Sequence, residues 1–301
     1  MKLIVGSRGS KLALAQTQWV IDQLKEHYRD LVVDIEVIKT KGDRIQNVSL
    51  NKIGGKGVFV KEIEAALLDG SIDFAVHSMK DMPSEIPEEL VFAPSPIRED
   101  PRDVIVTKHL VNKVQDLPQG AVIGTGSKRR KFQLLEYRSD LKIVDIRGNI
   151  DTRINKMLTE NLDGIVLAAA GINRLGFESC EAYRILPLDK EVVIPSPGQG
   201  ILGIQVHVKR PEVLELFRSI AHYETNIQSF VERDFLKTLN GSCHVPIGAY
   251  CEIEDEDLIV RGIYGDEDGK KISKKVVKGS LEDKAFIGSS LAKALLEEVK
   301  D

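Results

Sequence analysis

Apolar positions along this chain fall into short runs and helical stripes that alternate from the first residues onward. Leu3-Ile4-Val5 reads as a strand that stops at Gly6-Ser7-Arg8-Gly9-Ser10, and Leu12, Ala15, Trp19, Val20 and Leu24 then recur at helical spacing. A second strand pattern, Val33 to Ile38, runs into the basic, glycine-containing stretch Lys39 to Gly57. Phe59, Ile63, Ala66 and Leu67 then mark an amphipathic helix stopped by Gly70. The apolar run Phe74-Ala75-Val76 leads through His77 and Ser78 into Lys80-Asp81-Met82-Pro83. An apolar strand that ends in ionisable residues delivers charge to a sheet edge, where open α/β folds place their ligand crevices. Lys80 and Asp81 are therefore candidates for chemistry, or else a surface charge pair at a strand end.

The same plan repeats. The proline-rich, charged run Pro94 to Arg102 reads as a domain crossing, after which a strand at Asp103 to Thr107 opens a new unit. Ala121-Val122-Ile123, then Gly124-Thr125-Gly126-Ser127-Lys128-Arg129-Arg130, then a helical pattern through Leu135 echoes the N-terminal strand, turn and helix. Leu162-Asp163-Gly164 before Ile165 to Ala168 echoes Leu68-Asp69-Gly70 before Phe74 to His77, with the later strand ending in Gly171-Ile172-Asn173-Arg174. Ile143 to Ile146 leads to Arg147 and Arg153 around a further strand-to-helix turn. Pro195 to Gly200 reads as a second crossing, followed by a strand from Ile201 to Val208. A helix with Ile220, Tyr223, Ile227, Phe230, Val231 and Phe235 apolar comes next. Three strand patterns follow, at Ile247 to Ile253, Leu258 to Tyr264 and Lys271 to Val277, and Ser280-x-x-Asp283 is expected to cap a last helix through Phe286, Leu291 and Leu295. The expected fold class is α/β: two similar periplasmic-binding-protein-like domains enclosing a cleft, plus a small C-terminal α+β domain with an antiparallel sheet.

Turns between a strand and a helix aim backbone N–H groups at one spot, and arginine adds a bidentate grip on carboxylate or phosphate. Arg8, Arg129, Arg130, Arg147, Arg153 and Arg174 lie at such ends and point to an anionic ligand. The 301-residue chain carries a net charge of −4, which excludes a general nucleic-acid or membrane-surface binder. The longest apolar run is far short of a membrane span, and the three apolar residues before Gly6 are too few for a signal-peptide core, so a cytoplasmic protein is expected. Cys180, Cys243 and Cys251 form no C-x-x-C pair, which argues against a disulfide framework or a zinc site. Cys243, in a Gly-Ser-Cys turn, is a core thiol or a reactive one. His77, within a strand pattern, reads as a hydrogen-bonded core residue.

In order, the motifs GSRGSKLALAQ, KTKGDRIQ, GGKGVFVKEIE, AVHSMKDMP, GTGSKRR, IRGNIDTR, LAAAGINRL, GQG and GSCHVPIG span the whole chain. With them the sequence resembles the porphobilinogen deaminases, also called hydroxymethylbilane synthases. The resemblance implies three domains: 1–95 with 196–216, carrying the catalytic carboxylate and a lid loop at 42–57; 96–195, rich in arginine; and 217–301, with the attachment cysteine. It implies a transferase of tetrapyrrole biosynthesis that joins four porphobilinogens head to tail with release of ammonia, after which hydrolysis frees hydroxymethylbilane. It further implies a dipyrromethane cofactor held by a thioether to Cys243.

By matching position, Asp81 and Lys80 are the catalytic pair. Asp81 would stabilise the cationic pyrrole left by ammonia loss, and Lys80 would orient or bind a carboxylate. The cofactor would be held by Asp81, Lys80, Thr125, Ser127, Arg129, Arg130, Arg147, Gly171 and Arg174, and the substrate by Arg8, Ser10, Arg147, Arg153, Lys52 and Lys56. Each pyrrole brings an acetate and a propionate, which gives the arginines their purpose. A monomer acting on a small molecule is expected, without nucleic acid, membrane or metal. Gly126 replaces a common serine and His244 a common glutamine of the family. A non-catalytic, two-lobed anion-binding module and a lysine enzyme working through Lys80 are the competing readings.

Overall fold

The computed structural model describes residues 1–44, 57, 60–240 and 245–300. By compactness the chain divides into one unit of residues 1–99 with 200–229 and another of 100–199 with 230–301. The first unit contains β1 (Lys2–Ser7), α1 (Lys11–His27), β2 (Val32–Val37), α2 (Lys41–Arg44), α3 (Lys61–Leu68), β3 (Phe74–Ser78) and β4 (Leu90–Ala93). Its sheet has the order β2-β1-β3-β10-β4, where β10 is Leu202–His207. The first three strands are parallel, and β10 runs antiparallel to both β3 and β4. On α1 the residues Gln16, Thr17, Val20, Ile21 and Leu24 form a buried stripe. Three of these, Val20, Ile21 and Leu24, meet Leu3, Val5, Phe74, Val76, Ile204 and Phe217, whose burial contributes roughly 1.5–3 kcal/mol for each large side chain. The Phe74 and Phe217 rings meet edge to face, with centroids 5.1 Å apart. Ile63 and Leu67 of α3 pack with Ile72 and Ala75 in a second cluster.

The second unit contains β5 (Asp103–Thr107), β6 (Val122–Gly124), α4 (Lys128–Tyr137), β7 (Lys142–Val144), α5 (Ile150–Thr159), β8 (Gly164–Ala168), α6 (Ala169–Arg174) and β9 (Arg184–Pro187). The sheet order is β7-β6-β8-β5-β9, with β7, β6 and β8 parallel and β5 antiparallel to its neighbours. Both sheets thus obey one rule. The strand that follows a chain crossing, β10 near residue 200 and β5 near residue 100, inserts antiparallel between the third and fourth strands. β5 and β8 are buried along their whole length, which explains their unbroken apolar runs.

α8 (Tyr223–Thr238) precedes a meander of β11 (Ile247–Glu254), β12 (Asp257–Gly265) and β13 (Ile272–Ser280), and α9 (Ile287–Lys300) packs on this antiparallel sheet. The contact is close: a Cβ on Gly262 would lie 2.9 Å from Leu291 and 3.0 Å from Phe235. These elements give the expected α/β class, two similar five-stranded α/β sheets and a small antiparallel sheet with helices.

Three local expectations are corrected. Gly171 to Arg174 do not end a strand; β8 stops at Ala168 and they form α6. The Asp283 carboxylate accepts the Ser280 N–H at 2.7 Å, but the box caps a 3-10 turn, Leu281–Ala285, and α9 starts only at Ile287. Phe286 lies between the two and is exposed, as are Tyr223 and Phe230 on α8, because none of these three lies on the stripe that meets the sheet.

Candidate functional site

In the first unit the candidate residues gather at the edge where the parallel strands end. Ser10 caps α1, its hydroxyl accepting the Ala13 N–H at 3.2 Å. Just before it, a Cβ on Gly6 would lie 2.3 Å from Cδ1 of Ile72, so a larger residue there would force the end of that side chain aside. Arg8 turns to the carboxylate of Asp43, with Nη2 2.6 Å from Oδ1. Burial works to raise the Asp43 pKa, but the hydrogen bonds from Arg8 and Thr40 outweigh it and hold the carboxyl below its usual range.

β1 and β3 run side by side, Gly6 opposite Ala75, so Arg8 and the end of β3 leave the sheet at the same edge. After Ser78 a 3-10 turn, Met79–Asp81, presents Lys80 half-buried and Asp81 exposed. The turn is fixed by the Met79 N–H bonded to the Ile201 carbonyl at 2.9 Å and the Met82 N–H to the Met79 carbonyl at 3.0 Å. The Asp81 carboxylate makes no hydrogen bond or ion pair with any described residue.

His77 is buried one turn earlier, and its pKa is pushed down to about 4. Burial is the main cause; the Gln205 amide opposes it and the Arg8 charge adds to it. A ring that is neutral throughout the physiological range fits a core residue, but the expected hydrogen bond is not made: its buried Nε2 has no partner among the described residues. A hollow of about 300 Å³ lined by Gly57, Lys61, Glu64, Pro83, Ser84 and Glu85 lies nearby; Gly57 ends the expected lid loop, and none of the named site residues lines it.

In the second unit Thr125 is buried after β6. Its N–H donates to Val144 at 2.8 Å, and its hydroxyl accepts the Ser127 N–H at 3.3 Å. Ser127 caps α4 by accepting the Arg130 N–H at 3.4 Å, the counterpart of Ser10 on α1. Arg147 and Arg153 flank the turn into α5, where the Arg153 Nε donates to the Gly148 carbonyl at 2.7 Å and Gly148 adopts a φ of 120°. Burial depresses the Arg153 pKa to about 10, and repulsion from Arg130 and Arg147 adds to it. Three guanidiniums thus share one neighbourhood at the sheet edge. Gly171 is buried within α6, and Arg174 closes that helix.

Arg129 and Arg130 do not project freely: both are buried against Asp103, the first residue of β5. Asp103 pairs with Ala168, the last residue of β8, and so sits at the same edge. Sequence reasoning missed Asp103, a lone acid that opens an apolar strand. It also missed Gln16, which lies on the buried stripe of α1 and donates from Nε2 to the Ser78 hydroxyl at 3.0 Å. Helical register with Val20 and Leu24 was the available signal for Gln16. Lys52, Lys56, Cys243 and its neighbour His244 lie outside the described residues, as does most of the expected lid loop.

Within the second unit, Arg147, Arg153 and Arg174 beside the capped start of α4 suit a ligand with many carboxylates, and a dipyrromethane with its acetate and propionate groups is of that kind. Such a donor set fits the group.

Comparison with known proteins gives the same chemistry a family. Residues 3–215 match the family model "Porphobilinogen deaminase, dipyromethane cofactor binding domain", and residues 227–297 match "Porphobilinogen deaminase, C-terminal domain". Porphobilinogen deaminase of Clostridium novyi (strain NT) is 52% identical over 299 residues, covering 99% of this chain and 100% of that protein. Porphobilinogen deaminase of Clostridioides difficile (strain 630) is 52% identical over 301 residues, covering 100% of this chain and 99% of the relative. Among solved structures, the Bordetella pertussis BvgS periplasmic VFT2 domain aligns at 18% identity with a TM-score of 0.41, over 73% of this chain and 86% of that one. Matched by both family models and by full-length relatives at 52% identity, the chain belongs to the porphobilinogen deaminase family.

Proposed function

We propose that the porphobilinogen deaminase reaction of this chain is organised around the exposed carboxylate of Asp81 and the arginines of the second unit. The enzyme is a hydroxymethylbilane synthase of tetrapyrrole biosynthesis that joins four porphobilinogens head to tail with loss of ammonia, followed by hydrolysis to hydroxymethylbilane. The observation that carries the residue assignment is the depression of Arg153 to about 10 by burial and by its neighbours Arg130 and Arg147. Guanidiniums crowded closely enough to disfavour one another gain most when an anion arrives.

In this reading Arg129, Arg130, Arg147, Arg153 and Arg174 take the acetate and propionate groups of the bound chain, with Thr125, Ser127 and Gly171 beside them. Arg8, Ser10, Lys52 and Lys56 take those of the incoming porphobilinogen. Each charge-assisted contact contributes roughly 1.5–3 kcal/mol. When bound, a dipyrromethane would be held by a thioether to Cys243 and would supply the nucleophilic pyrrole carbon on which each chain starts.

Asp81 would face the pyrrole N–H groups. As the aminomethyl C–N bond breaks and ammonia leaves with a proton, positive charge spreads onto the pyrrole nitrogen, and a carboxylate fixed beside it stabilises that charge. After the new C–C bond forms, the same carboxylate accepts the ring proton. Lys80 holds a substrate carboxylate beside it.

We also propose the three-domain division at 1–95 with 196–216, 96–195 and 217–301, and a cytoplasmic monomer. Among the described residues no helix is long and apolar enough to cross a membrane.

Two measurements test this. Whole-protein mass is expected to show a covalent dipyrromethane on the wild type that is absent from Cys243→Ser; an unmodified, active wild type would overturn the attachment. Asp81→Asn is expected to keep its fold and its adduct and to lose single-turnover ammonia release. Near-normal release would sink the role given to Asp81.

A further inference from the structure

We propose that Asp103 is a positioning residue for the reaction: its buried carboxylate aims the Arg129 and Arg130 guanidiniums and ties the Gly198-Gln199 segment to them. Asp103 is 0% exposed. Its Oδ1 accepts three donors, Arg130 Nε at 3.0 Å, Arg130 Nη2 at 2.7 Å and Gln199 Nε2 at 3.0 Å, and its Oδ2 accepts Arg129 Nη1 at 2.7 Å. Each arm has a second fixing point. Arg129 Nη1 also reaches the Ile194 carbonyl at 2.7 Å, Arg130 Nη1 the Val166 carbonyl at 3.0 Å, and Gln199 Nε2 the Pro101 carbonyl at 2.7 Å.

Charge balance separates this arrangement from a plain structural ion pair. Two buried guanidiniums share one carboxylate, so the cluster keeps an excess positive charge where water is scarce, and Arg130 extends that charge toward Arg153. Burial pushes the Arg129 pKa down while Asp103 opposes it, so the carboxylate keeps Arg129 charged as well as aimed. In return the two arginines, against the effect of burial, hold the Asp103 carboxyl far below its usual range. Ionised over the whole working pH range, Asp103 is an unchanging reference for the direction of both side chains.

The peptide link adds reach. Gln199 joins the cluster through Asp103, and the preceding Gly198 N–H donates to the buried Glu232 carboxylate at 2.6 Å, whose other oxygen accepts the Cys251 N–H at 2.9 Å. One short segment is therefore pinned by two buried acids, one opening β5 and one on α8.

The inference rests on the assignment of Arg129 and Arg130 to ligand carboxylates, and the experiment separates the two. Asp103→Asn keeps the shape of the side chain and removes its charge. With the full-length enzyme, KM for porphobilinogen is expected to rise at least ~10-fold with a smaller change in kcat. The fraction of folded protein carrying the covalent adduct, read by mass, is expected to fall. A folded Asp103→Asn with wild-type KM and full adduct overturns the proposal, whatever its melting temperature. Arg130→Lys is measured beside it. If KM and adduct are unchanged in Arg130→Lys, the arginine assignment fails and this proposal with it; if they change there and not in Asp103→Asn, only the positioning role fails. Should Asp103→Asn not fold, Asp103→Glu, which keeps the charge and moves it by one methylene, takes its place. The same rise in KM is expected, and a normal KM overturns the proposal.

Discussion

The side-chain amide of Gln16 donates to the hydroxyl of Ser78 at 3.0 Å, joining the buried face of α1 to the last residue of β3. Lys80 and Asp81 follow within one turn, so the position of the carboxylate depends on a bond to a helix 62 residues earlier in the chain. Gln16→Ala removes it and leaves the hydroxyl to find another partner. Stability should fall by about 1 kcal/mol in urea denaturation. If the bond orients the turn, kcat should fall by more than that loss explains; an unchanged kcat would confine Gln16 to the scaffold.

His77 gives the fold a pH dependence with a definite sign. The folded ring titrates at about 4 because it is buried, whereas the free side chain titrates near 6.5. Between these values the unfolded chain binds more protons. The contribution is therefore complete above pH 6.5 and disappears as the pH falls through 4, a loss of roughly 3 kcal/mol. His77→Asn has no titrating ring and should flatten the stability profile between pH 7 and 4 in chemical denaturation. An equally steep profile in that variant would place the acid sensitivity elsewhere.

Gly269 lies in the β12–β13 turn at a φ of +71°, and a Cβ there would sit 2.3 Å from the Phe132 ring of α4. Gly269→Ala combines left-handed strain with a collision in one place and should cost about 2 kcal/mol or more. In a Phe132→Ala background the collision vanishes and only the strain remains. The two substitutions should thus be non-additive in urea denaturation, and simple additivity would show that the ring moves aside freely.

Arg153→Gln tests the crowded guanidiniums. The change removes a charge that burial and two neighbours already disfavour, so the melting temperature should stay within a few degrees of wild type. KM for porphobilinogen should rise about tenfold or more, in line with the loss of one charge-assisted contact. An unchanged or lower KM would mean that Arg153 does not meet the substrate.

Strand-to-helix turns were legible because each is a local event: an apolar run, small residues, then a helical stripe. Ser10 and Ser127 sit at those turns, and both cap as their positions imply. What stayed hidden depends on distance. Asp103 reads as the polar first residue of an apolar strand, and its partners Arg129 and Arg130 are 26 and 27 residues away. Without that acid the two arginines look like free anion binders. Gln16 is polar, and sequence reading assigns polar side chains to the surface unless register with Val20 and Leu24 is followed strictly. Phe286, Tyr223 and Phe230 read as apolar members of helical patterns, yet all three are exposed, because the apolar pattern does not by itself say which of its members meet the sheet.

The insertion of β10 between β3 and β4 has a consequence for how the chain comes into being. A ribosome releases Lys2 to Ala93 early, yet the strand that fills the middle of their sheet, Leu202–His207, emerges only after about a hundred further residues. Until then β3 and β4 have no shared neighbour, and Met79 lacks the Ile201 carbonyl that fixes the turn before Asp81. The sheet built from 103–187 needs no such wait. A nascent chain stopped at residue 199 should therefore protect β5 to β9 from proteolysis while β1 to β4 stay sensitive, so the first residues translated are secured after those that follow them.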